Sequence, residues 1–151
     1  MIERTLLPLS ALVVCVSVIG SANSAGNDHR YISIRNTDSS WVQGVCSFVF
    51  RLDNGGEGIF NDLTIGLQLT DKSGAVLEKG TLNVQAFGDS EATRSTLSAT
   101  EFSCDAVENT SEIGITDIEE TSPDGSVHTL PLSIFDPQYY QPLKMSVQKR
   151  R

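Results

Sequence analysis

Three cysteines and two histidines are the residues of this 151-residue chain with the sharpest chemical potential. Cys15 lies inside an apolar N-terminal run, while Cys46 and Cys104 belong to the body of the chain. No His-Glu-x-x-His, no Cys-x-x-Cys and no Gly-x-Ser-x-Gly occurs. His29 stands near the start of the body and His128 on an alternating segment. A triad of His128 with a serine and an acidic partner would have to be assembled by the fold; a lone strand histidine otherwise reads as structural. The stretch "DNGGEG" (53–58) invites a calcium or phosphate reading. It lacks the alternating acidic ligands and closing glutamate of a calcium hand, and no Lys-Ser/Thr follows it, so it reads as a turn. "NTS" at Asn109 matches a glycosylation acceptor, which matters only in a eukaryotic secretory pathway. No catalytic, cofactor-binding or metal site is legible, and the expectation is a protein that is not an enzyme and carries no cofactor. "FDPQYY" (135–140) places Phe135, Tyr139 and Tyr140 beside prolines. These aromatics either form an interaction surface or cover the edge of the fold.

Whether the cysteines can pair depends on where the chain is sent. Met1–Arg4 supplies a short basic start, Leu6–Ile19 an apolar run, and "GSANSA" the small residues that follow. This is the pattern of a secretory signal peptide, too short and too poorly flanked for a membrane span. Val13 and Val14 before Cys15 argue against a lipoprotein signal, so Cys15 is expected to leave with the signal. The boundaries taken are 1–25 for the signal and 26–151 for one mature domain, with Ala22 and Ser24 as rival cleavage points. Cys46 and Cys104 then remain in an oxidising compartment and are expected to form one intrachain disulfide. A pair of buried free thiols and an intermolecular bridge are the alternatives.

The elements that must position these residues follow from alternation. In "WVQGVCSFVFRLDNGG" (41–56), Cys46, Phe48, Phe50 and Leu52 share one face and Ser47, Val49 and Arg51 the other. That period of two is a strand with one buried face. "YISIRN" (31–36) gives a short strand, and "TDSS" is expected to turn the chain. Leu63, Ile65, Leu67 and Leu69 form a clean amphipathic strand, "TDKSG" a tight turn, and "AVLEKGTLNVQAFG" a return strand bulged near Gly80. "RSTLSATEFSC" (94–104) reads as a strand bulged between Ala99 and Phe102. Ile113 and Ile115 point inward from the next one. His128, Leu130, Leu132 and Ile134 alternate after a Pro123-Asp124-Gly125 turn, and Leu143, Met145 and Val147 make a terminal strand. No sustained helical period appears. Seven to nine short strands make an all-β, immunoglobulin-like or fibronectin-III-like sandwich the economical architecture. Trp41 precedes Cys46, the first cysteine of the expected mature domain, instead of following it, which sets the chain apart from an immunoglobulin variable domain.

The chain carries 19 acidic and 11 basic residues, a net charge of −8. Between Arg94 and Lys144 there is neither lysine nor arginine. Such a surface repels phosphate backbones and excludes nucleic acid as the natural partner; it favours solubility or steering toward a basic partner. The run "RYISIRNTDSSWVQGVCSFVFRLDNGG" and the later "FDPQYYQPLK" resemble the IrmA family, small secreted interleukin receptor mimic proteins of pathogenic Escherichia coli. The resemblance implies a fibronectin-III-like sandwich, a homodimer made by exchanging part of the fold, and extracellular binding to host cytokine receptor ectodomains. It brings no local signature from which a contact residue could be carried over. The alternative is a periplasmic assembly or anti-aggregation factor of the curli-accessory type.

Overall fold

A computed structural model describes residues 29–138 and 143–148. Among the described residues nine strands form two facing sheets. β1 (Ile32–Val42), β2 (Val45–Asn54), β5 (Ser95–Phe102) and β8 (Phe135–Pro137) make a four-stranded sheet in the order β5-β2-β1-β8. β3 (Asp62–Thr70), β4 (Val76–Val84), β6 (Glu112–Thr121) and β7 (Val127–Thr129) run in the order β4-β3-β6-β7, and β9 (Lys144–Val147) pairs parallel with the first half of β6. This is the immunoglobulin-like, fibronectin-III-like sandwich that the alternation predicts. Its core is the predicted one: Phe48, Phe50 and Leu52 from β2 face Leu63, Ile65, Leu67 and Leu69 from β3 and Ile113, Ile115 and Ile118 from β6. Among the described residues no helix is long and apolar enough to cross a membrane.

Where the observed elements differ from the sequence reading, side-chain hydrogen bonds explain most of the difference. "TDSS" does not turn the chain. β1 runs through it, with a register shift between Asn36 and Asp38. The fully buried Asn36 stabilises this bulge by donating from Nδ2 to the carbonyls of Asp38 (2.8 Å) and Val49 (2.9 Å). The reversal comes at Gln43–Gly44, both at positive φ (51° and 85°), the two-residue hairpin loop whose twist matches the flanking strands. Gln43 is an ill-suited residue there, whereas asparagine tolerates the left-handed region. Gln43→Asn is expected to raise stability by about 0.5 kcal/mol, read as a higher urea midpoint with unchanged slope.

β5 is paired to β2 without interruption, so the expected bulge is absent. Its inward residues before Phe102 are Thr96, Ser98 and Thr100, not an apolar set, and the last two reach the edge of the other sheet. Ser98 Oγ donates to the Asn83 carbonyl, and Thr100 Oγ1 donates to the Thr81 carbonyl at 2.8 Å. Hydroxyls thus close the seam between β5 and β4. β4 is likewise continuous across Gly80; the irregularity in that hairpin lies between Leu69 and Thr70. Gly80 provides space instead. A Cβ there would sit 2.5 Å from Cε1 of Phe102, whose buried ring also packs on Phe48. Gly80→Ala is therefore expected to cost about 1–3 kcal/mol through overpacking, measurable by thermal or urea unfolding.

The segment from His128 to Ile134 is not one strand. β7 ends at Thr129, and Pro131 precedes a single 3-10 turn over Leu132–Ile134. Proline has no N–H for a ladder, and the chain must cross here from the five-stranded to the four-stranded sheet to become β8. The predicted terminal strand is present as β9, with Met145 buried.

Candidate functional site

Among the described residues four groups of side chains stand out beside the core: the β1–β2 hairpin tip, a charged cluster on the outer face of the four-stranded sheet, the Arg30–Glu120 pair and the Asp124–His128 turn. From Asp38 onward β1 has no buried residue. At its end Trp41 is 68% exposed, Val42 64%, and Val45 across the turn 44%. Register places Trp41 opposite Cys46 and Val42 opposite Val45. Cys46 is buried and bonded to Cys104, with Cα atoms 5.0 Å apart, so the predicted pairing is present. Cys104 opens a short helix, α1 (Cys104–Asn109), where the sequence reading had a strand end. Ser103 caps that helix by accepting from Ala106 N at 3.3 Å. It also donates through N (3.0 Å) and Oγ (2.7 Å) to Glu78 of β4. Cys104 Sγ lies 3.6 Å from the Gly44 carbonyl. The tip is thus held to β2, to α1 and, through the cap, to the opposite sheet.

Below the tip, Ser40 and Ser47 hydroxyls meet at 2.7 Å. Further down, Arg35 and Arg51 stand directly opposite each other. This like-charge pair is offset by Asp53, which accepts from Arg51 Nε at 3.0 Å and lies 3.6 Å from Arg35 Nη2. Ser95 Oγ also donates to Asp53. Partial burial would push the Asp53 carboxyl up, but the bonds from Ser95 and Arg51 and the two guanidinium charges hold it below the usual range.

At the other end of the sandwich, Glu120 is 5% exposed and accepts from Arg30 Nη1 at 2.8 Å and Nη2 at 3.1 Å. Asn61 N donates to the same carboxylate at 2.9 Å. The Arg30 guanidinium also donates to the Ile59 carbonyl and lies over the Phe60 ring, 4.7 Å from its centroid. This cluster fixes the lead-in to β1 and has no open face for a substrate.

The fold does bring His128 beside a serine and an acid. Ser126 Oγ lies 3.2 Å from His128 Nε2 and donates to Asp124 Oδ1 at 2.6 Å. In a catalytic triad the carboxylate orients the histidine, and the histidine alone takes the hydroxyl proton. Here the carboxylate takes the hydroxyl directly. Ser126 also donates its backbone N–H to Asp124, forming an exposed turn that holds the Asp124 carboxyl below its usual range. His29 lies in the lead-in to β1, its carbonyl accepting from Glu57 N. Asn109 ends α1 with its side chain bonded to Asp105. Among the described residues no three metal-ligating side chains converge.

Of the aromatic trio, Phe135 is 7% exposed and belongs to the core, because β8 lies along β1 and turns that side chain inward. It is therefore not a surface residue. Tyr139 and Tyr140 lie outside the described residues. The exposed Trp41 was legible only as an oddity of cysteine spacing; its place at a tip depends on the bulge that carries β1 past "TDSS".

A family model described as IrmA, interleukin receptor mimic protein A, matches residues 32–138. The solved structure of IrmA from Escherichia coli is 48% identical, with 78% of this chain and 99% of that chain covered and a TM-score of 0.68. No curated protein matches the chain. The match spans β1 through β8, with both cysteines and the hairpin tip inside it, and the chain belongs to the IrmA family, the interleukin receptor mimic proteins.

Proposed function

We propose that this protein is a secreted interaction protein that acts by non-covalent binding within a host's interleukin and interleukin-receptor system. Membership of a family described as interleukin receptor mimics is the observation that carries this reading. The exposed aromatic hairpin tip supports it. The partner expected from the sequence is a cytokine receptor ectodomain. The family description also favours a second partner class, the interleukin itself, because a surface that imitates a receptor complements the receptor's ligand. Export by the signal peptide at residues 1–25 and the oxidised cysteine pair fit an extracellular site of action. A strand-exchanged homodimer belongs to the same reading. β9 is the natural candidate for exchange, since its register with β6 spans only Glu112–Ile115 and its buried Met145 would find the same seat in either copy.

The test is direct binding of the oxidised mature chain to immobilised interleukin-receptor ectodomains and, separately, to interleukins. Binding in either arm supports the reading and selects the partner class; silence in both overturns it. Light scattering should give twice the mature mass. Recovery from the periplasm alone, with none in culture supernatant, would favour an assembly or anti-aggregation role instead.

A further inference from the structure

The geometry points to the β1–β2 hairpin tip as the docking surface of this protein, and to a partner protein surface bearing an apolar pocket rimmed by lysine or arginine. The inference rests on the interaction-protein reading and gives it a location and a chemistry. Trp41 lies on the Cys46 face of the hairpin and Val42 and Val45 stand opposite each other on its other face, so both sides of the tip are apolar, and Trp41 is the chain's single tryptophan. The other large apolar residues strongly exposed among the described ones, such as Ile59, Val76 and Val127, come from separate loops and strands. An isolated exposed apolar residue needs no explanation, whereas three gathered at one hairpin tip, a tryptophan among them, mark an interaction site. The tip is also pre-ordered. Its two-residue turn, the Cys46–Cys104 bond at its base and the capped α1 beside it leave little backbone freedom to lose on docking.

Charge selects the partner. Glu101 of β5 lies directly opposite Ser47 of β2, just below the tip, Asp105 follows the bridged Cys104, and Glu108 lies one helical turn on. All three are exposed, and no lysine or arginine occurs anywhere between Arg94 and Lys144. The arginines down the sheet, Arg35 and Arg51, are drawn to Asp53, and the exposed Lys79, next to the Glu78 that binds Ser103, is one cation beside three collar carboxylates. An apolar tip with an acidic collar is repelled by anionic lipid and by nucleic acid, and it complements a basic-rimmed pocket on a protein.

The experiment uses the oxidised mature chain and the emission of Trp41. Two synthetic amphipathic helices serve as probes, each with a leucine stripe, one flanked by lysines and the other by glutamates. The lysine helix should shift the emission to the blue and protect it from acrylamide; the glutamate helix should do neither. Trp41→Ser should leave the thermal midpoint unchanged and weaken binding to the responding interleukin or receptor by about tenfold or more. Val42→Ser, which keeps the fluorophore, should act in the same direction. A large drop in midpoint on Trp41→Ser, or equal binding by wild type and both variants, overturns the tip assignment and leaves the interleukin-system reading standing. A silent panel with a lysine-helix shift overturns that reading and keeps the tip. Silence from panel and probes overturns both.

Discussion

Removing the Cys46–Cys104 bond is expected to lower the free energy of unfolding by about 4 kcal/mol, the chain-entropy value for a loop of this length. The bridge closes a separation of 58 residues that includes all of β3, β4 and β5. Without it the unfolded chain gains the conformations that closure denied it. A domain of this size is stable by about 5–15 kcal/mol, so the loss is a large share of the total. The comparison is between the oxidised chain and the Cys46→Ser/Cys104→Ser double variant by urea unfolding, with a non-reducing peptide map showing one linked pair in the former. Equal urea midpoints would mean that the pairing of β2 with β5 and its contacts with α1 already supply what the bond adds. Because the bond joins β2 to α1, the hairpin tip and that helix should also lose hydrogen-exchange protection before the β3–β6 pair does.

The second large effect is expected at Arg30 and Glu120. Arg30→Met leaves a carboxylate that is 5% exposed with no cation beside it, and truncating one partner of such a pair costs about 3–5 kcal/mol. Arg30→Met/Glu120→Leu should recover much of the loss, because it also removes the stranded charge. The pair carries a pH signature of definite sign. Burial alone would raise the Glu120 carboxyl, but the hydrogen bonds from Arg30 and Asn61 and the Arg30 charge hold it below its ordinary value in the folded chain. The stability it supplies is therefore present above the ordinary carboxylate range and is lost as pH falls through the depressed folded value. Thermal midpoints measured downward from pH 7 should fall in the acidic range for the wild type, and less steeply for Glu120→Gln. Parallel curves would show that other carboxylates govern acid unfolding.

The strands whose apolar residues alternate against a facing sheet were legible. β2 and β3 follow their period of two without exception, since Cys46, Phe48, Phe50 and Leu52, then Leu63 through Leu69, all point into the core. The elements that resisted are those where polar groups perform the packing. In β5, Thr96, Ser98 and Thr100 face inward and the last two bond across a seam, so an apolar alternation imposes a bulge where there is none. In β1, a buried asparagine amide replaces two ladder bonds and lets the strand continue through residues that look like a turn. α1 is too short to show a helical period, and only its serine cap announces it. The disulfide could be deduced because two cysteines admit one intrachain pairing. The tip could not, because Trp41 is exposed as a consequence of β1's full length.

The strand directions have a practical consequence for presentation. β1 starts beside the end of β2, and β9 runs parallel to β6, whose far end meets the start of β3. The lead-in at Arg30 and the run-out of β9 are therefore both directed toward the end of the sandwich where Glu120 lies, opposite Trp41. A linker entering at Arg30 or leaving after Val147 would meet the described sandwich at that end. A molecule held there would carry its hairpin at the end away from the support.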